Sequence, residues 1–187
     1  MKTTNRILIL MAVLSLMACK DKELPQKINP ESQVEIDGVH VITLYVNTTD
    51  IKKTDSIEKD GIVVRPGLRK YANFGQASDI SNEDYTINVK KGDVVIWRGV
   101  SITDSLLDVV NINSINHQGG TSLFGKNVLK GNEDVPEVVV GIVTKGPEMD
   151  NDTLLDSEKY LLKFTVFNNG IKRNGTFNID PKLQVIN

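Results

Sequence analysis

Residues 85–99 read YTINVKKGDVVIWRG, and the fold class turns on them. Tyr85, Ile87 and Val89 alternate with Thr86 and Asn88, so one side of the segment is apolar and the other polar, the period-two pattern of a strand buried on one face. Lys90, Lys91, Gly92 and Asp93 then supply a tight turn, in which glycine can take a positive φ without steric cost. The chain is expected to return as a second strand, VVIWR. Its Trp97, the only tryptophan, is expected to anchor the core, because no side chain buries a larger area.

The same grammar extends in both directions. From Val34 onward, apolar residues rarely recur at the three- and four-residue spacing of a helix, whereas short β-branched and aromatic runs are separated by Gly, Asn, Asp and Pro. Tyr160, Leu162, Phe164 and Val166 alternate with Leu161, Lys163, Thr165 and Phe167. Residues 39–46 (VHVITLYV) and 138–143 (VVVGIV) are apolar on both sides of the alternation, which places them centrally in a sheet. Near the end, Phe177 and Ile179 align before Pro181, and Leu183 and Val185 resume the pattern, so Pro181 marks an edge or a bulge. About eight strands in roughly 150 residues imply an all-β, two-sheet sandwich with Greek-key or jelly-roll connections, immunoglobulin- or cupredoxin-like in outline.

The amino terminus differs from this. Lys2 and Arg6 precede residues 7–18, an apolar run broken only by Ser15 and too short to span a bilayer as a mature helix. The only cysteine, Cys19, follows it at once. Leu16, Met17, Ala18 and Cys19 resemble the lipobox of bacterial lipoproteins. That resemblance implies a diacylglycerol on the Cys19 sulfur, cleavage before it and acylation, palmitate for example, of the new amino terminus. An ordinary secretory signal that happens to carry a cysteine is the alternative. Several acyl chains on one residue hold a protein stably at a membrane, at about 0.8 kcal/mol per buried methylene. Lys20, Asp21, Lys22 and Glu23 resemble the charged signal that sends lipoproteins of the Bacteroidetes to the outer face of the outer membrane, the localisation expected here. The division that follows is a signal peptide at 1–18, a lipid-anchored tether at 19–33 with two prolines and abundant charge, and a sandwich domain at 34–187.

Charge and cysteine use exclude some partners. The 22 basic residues less Lys2 and Arg6 leave 20 against 24 acidic ones in the mature chain, a net of −4, which disfavours nucleic acid. Without a cysteine after Cys19 no disulfide forms, and stability must come from packing.

Three segments then look familiar together: VITLYVNTTDI at 41–51, VKKGDVVIWRG at 89–99 and NGTFNIDPKLQV at 174–185. They resemble the inclusion-body protein family (AidA/PixA-like), with matches at Asp50, at Gly92, Asp93, Trp97 and Arg98, and at Gly175, Phe177, Asp180 and Pro181. Ile179 departs from the aromatic residue common before Asp-Pro in that family. The resemblance implies a β-sandwich and no catalytic residues to carry over.

Chemistry is sparse. The segment INVKKGDVVIW also resembles cupredoxins, but blue copper needs a thiolate beside two imidazoles, and His40 and His117 have no cysteine to join them. The two histidines read as unrelated polar residues rather than a zinc pair, and Asp150, Asp152, Asp156 and Glu158 as an acidic loop that fails the EF-hand pattern. No nucleophile elbow or phosphate-cradling glycine loop is present. No catalytic residue, cofactor or metal is expected. Asp-Ser/Thr-aliphatic triplets at Ser56, Ser105 and Thr153 resemble Bacteroidetes O-glycosylation sites and fall in expected loops. The leading functional expectation is a non-enzymatic, surface-exposed lipoprotein binding a glycan or protein partner. The alternatives are a self-assembling envelope protein and a metal-dependent enzyme.

Overall fold

A computed structural model describes residues 36–52, 57–59, 62–64, 68–150, 153–155, 157–173 and 175–187. The proposed signal, Cys19 and tether lie outside them, as do Ser56, Asp152 and Asp156. In chain order the strands are β1 (Val39–Val46), β2 (Ile57–Lys59), β3 (Ile62–Val64), β4 (Ala72–Asn73), β5 (Thr86–Val89), β6 (Val94–Ser101), β7 (Val109–Gly120) and β8 (Val128–Lys130). They continue as β9 (Val138–Ile142), β10 (Glu148–Asp150), β11 (Thr153–Leu155), β12 (Ser157–Asn168), β13 (Ile171–Lys172), β14 (Phe177–Ile179) and β15 (Lys182–Val185). A single 3-10 turn at Leu68–Lys70 is the only helical element among the described residues.

Two mixed sheets carry the architecture, so the all-β sandwich expected from the alternation is what the chain forms. One runs β4-β1-β6-β9 and the other β5-β15-β12-β7-β8, with β13 and β14 also paired to β12. Small hairpins β2-β3 and β10-β11 stand apart from these ladders. Ile42, Leu44, Val95, Trp97 and Val139 of the smaller sheet and Ile112, Ile115, Tyr160, Leu162, Phe164 and Val166 of the larger one form a single buried core. Trp97 is fully buried, edge-on to both Phe124 and Tyr160, and its Nε1–H donates to the Tyr160 hydroxyl at 3.1 Å. A buried indole N–H without a partner would cost free energy, so this bond ties the two sheets as well as filling space.

Three expectations are corrected. The 85–99 segment does form strand, turn and strand, with Asp93 N–H donating to Lys90 C=O at 3.0 Å and Gly92 at φ 100°. Its two strands do not pair, however. β5 lies parallel to β15 in the larger sheet and β6 parallel to β1 in the smaller, so the turn carries the chain from one sheet to the other. Pro181 separates β14, which among the described residues pairs only with β12, from β15, which lies between β12 and β5, so the edge expected there holds for β14 and not for β15. Finally, β1 pairs with β6 along its whole length but with β4 only at Tyr45 and Val46, and β9, paired among the described residues only with β6, is a sheet edge.

Candidate functional site

β9 is the unusual element of this surface. Its register with β6, and that of β6 with β1, aligns three rows across the outer face: Val39–Val94–Ile142, Val41–Ile96–Val140 and Thr43–Arg98–Val138. Seven of these nine positions are aliphatic. The inward neighbours Val95, Trp97, Val139 and Ile42 are buried, which fixes the rows on the opposite side of the sheet. Val140 is 54% exposed and Ile142 58%. Arg98 supplies the single charge of the nine, and its Nε–H donates to the Thr43 hydroxyl at 2.9 Å, which seals Thr43 from solvent. Exposed strand edges are ordinarily guarded by Lys, Pro or a bulge, and VVVGI contains none of these. The alternation of a two-sided apolar run was legible in the sequence, but its outer half faces solvent instead of a second layer.

The histidines each engage a different carboxylate. His40 Nε2 lies 2.6 Å from Asp93 Oδ2, which also accepts the Lys90 N–H at 2.7 Å. Burial pushes the Asp93 carboxyl up, but the Lys90 N–H and His40 outweigh it and hold the group below the ordinary aspartate value. His117 Nδ1 lies 3.1 Å from Glu158 Oε1, while Glu158 Oε2 accepts the Leu123 N–H at 2.8 Å. Glu158 is 1% exposed, and desolvation raises its pKa against those two stabilising contacts. Glu158 therefore belongs to the core, not to the acidic loop. Among the described residues no group of three or more His, Cys, Asp or Glu is placed to hold a metal.

At the pole where β1 and β6 end, a buried aspartate that sequence reasoning missed organises three loops. Asp108 Oδ2 accepts from the hydroxyls of Thr48 and Thr103 and from Asn168 Nδ2, and its Oδ1 accepts the Asn169 N–H at 2.8 Å. Asn169 is held at φ 50° and Gly170 at 75°, both left-handed, as a two-residue hairpin turn of the primed kind requires. Thr48 also bonds Ser101 at 2.9 Å, and Arg173 donates to Thr48 and Thr49 carbonyls. A groove of about 310 Å³ lined by Ser105, Leu106, Asp108 and Glu137 opens here, but the Asp108 carboxylate is fully engaged by donors.

The glycosylation-like positions differ in setting. Ser105 is exposed in a turn whose preceding Asp104 Oδ1 accepts the N–H groups of Leu106 and Leu107 at 2.9 and 3.0 Å. Thr153 lies on strand β11, opposite Asp150, and not in a loop.

No protein-family profile matches the chain, and no curated protein does so. Among solved structures, it is similar to the inclusion body protein PixA from Burkholderia cenocepacia, with a TM-score of 0.50 and 16% identity over 82% of this chain and 99% of that one. The likeness is one of fold, an inclusion-body-protein-like β-sandwich.

Proposed function

We propose that this is a non-catalytic structural protein of the cell envelope, anchored through Cys19, whose sandwich self-associates along the margin of its smaller sheet. The observation that carries this reading is β9, an uncharged edge strand with Val140 and Ile142 exposed at the rim of an aliphatic face. Val140 and Ile142 are exposed beside five half-buried aliphatic side chains, so covering them removes apolar surface from water, and an open strand edge is a template for another strand. Resemblance of the fold to a protein titled an inclusion body protein accords with self-association. The lipobox-like Leu16 to Cys19 and the charged residues after it support attachment to the outer membrane with the domain facing outward. Confinement to one plane raises the effective concentration of neighbouring copies, so even modest pairing is populated there. Light scattering over a concentration series of the chain from Lys20 tests this. A monomer–dimer equilibrium is expected, abolished by Val140→Lys, and a strict monomer at every concentration would remove the proposal.

A glycan-binding role is the second reading, and one observation favours it. On the outer face of the larger sheet, Asn111 and Asn116 each hold a buried side-chain oxygen without a hydrogen-bond partner among the described residues, in register with Thr165 and Leu161. These oxygens are themselves shut off from solvent, so a sugar would meet the half-buried remainder of the strip, Asn111, Ser114, Asn116 and Lys163, rather than the oxygens. A rise in melting temperature with one sugar class, lost in Asn116→Ala, would support it.

A further inference from the structure

We infer that self-association is a two-fold pairing of β9 with the β9 of a second copy, centred on Gly141, which joins two four-stranded sheets into one of eight strands. This rests on the self-association proposed above and specifies its geometry.

The argument comes from which main-chain groups remain open. Gly99 N–H donates to Glu137 C=O at 3.0 Å and Val143 N–H to Asp93 C=O at 2.8 Å. In an antiparallel ladder with this register, those bonds assign the odd-numbered residues of β9 to β6. The N–H and C=O groups of Val138, Val140 and Ile142 therefore point to the open edge. Val138 N–H is already given to Val135 C=O at 3.1 Å, and past the strand Thr144 N–H is given to Leu123 C=O at 2.8 Å. Among the described residues, what stays open on both donor and acceptor sides is Val140 and Ile142.

Few registers use these groups. A two-fold axis at Val140 pairs residue 138 with 142 and calls on the Val138 N–H that Val135 holds. An axis at Ile142 pairs 140 with 144 and calls on the Thr144 N–H that Leu123 holds. Either of those axes still closes four bonds but leaves an open carbonyl unmatched, that of Ile142 or of Val140, whereas an axis at Gly141 pairs 140 with 142 twice and alone matches all four open groups of each copy to those of the other. Side chains agree with this choice. The row Val41–Ile96–Val140 of one copy runs on into Ile142–Val94–Val39 of the second, an unbroken aliphatic band with no charge in it. A partner of different chemistry would leave that band half covered, whereas a second copy matches it to itself.

Register is read by cysteine pairing in the chain from Lys20, which keeps the compact unit Gln33–Asn187 whole and contains no native cysteine. Val140→Cys and Ile142→Cys are purified separately, then oxidised mildly, alone and mixed, at a concentration where sedimentation shows association. Directly opposed, hydrogen-bonded residues stand about 5.5 Å apart at Cα, within the range a disulfide spans. The mixture is expected to give at least about tenfold more disulfide-linked dimer than either variant alone. Efficient linking of Val140→Cys with itself would overturn the Gly141 axis, as would association without any mixed disulfide, and in both cases self-association itself would stand. No association at all would remove both. Because both side chains are exposed, unchanged melting temperatures verify that the variants fold.

Discussion

Asp108 shows how much one side chain can decide here. It is 6% exposed and receives four donors from residues that are, in part, about sixty positions away in the chain. The Thr48 hydroxyl contributes most to lowering its pKa, burial opposes, and Asn169, Asn168 and Thr103 add to the lowering. Asp108→Ala strands those donors and is expected to destabilise the domain by about 3 kcal/mol, measured by urea denaturation. Since the folded carboxyl titrates below the unfolded value of about 3.9, its contribution is complete above that pH and is lost as pH falls through the folded value. Glu158 behaves in the opposite sense. Desolvation raises its folded pKa, so the domain is favoured most below the unfolded value of about 4.3 and loses that advantage as pH rises through the raised one. Glu158→Gln should flatten this part of the stability profile, a difference read from denaturation midpoints between pH 4 and 8. Neither role was legible in the sequence, because alternation records which face a residue takes and not which distant donors meet it there.

Elements were legible by type and less so by partner. The strands at 39–46, 86–89, 94–101 and 157–168 follow from alternation, and Trp97, Tyr160, Phe164, Phe177 and Leu183 are buried as their positions in it require. The arch at Gly92 was not, since a turn sequence fixes local φ and ψ but leaves open whether the outgoing strand rejoins the same sheet. β9 was misplaced for a related reason: VVVGI has the same composition whether a second layer or solvent covers its outer face. Close approach of the two sheets is set at β6, where a Cβ on Gly99 would lie 2.3 Å from the Val110 carbonyl oxygen. Gly99→Ala must therefore push β6 from β7. A loss of about 2 kcal/mol or more is expected by thermal denaturation, with no compensating gain, because the obstructing atom is backbone.

At the scale of the whole molecule, the two sheets bury one core and leave two contrasting outer faces, one aliphatic and one carrying Asn111, Asn116 and Lys163. The fold class was recoverable from the sequence because a sandwich is the packing that suits many short half-apolar strands. Which face carries the open edge was not, because it depends on which strand ends a sheet. If pairing through β9 is right, its open amides should report it directly by hydrogen exchange. The measurement is the exchange rate of the Val140 and Ile142 amides at low and high protein concentration, with buried-core amides as reference. Both should exchange rapidly when dilute and become protected at least tenfold as concentration rises, while Val138 changes little. Rates independent of concentration would contradict self-association through this edge.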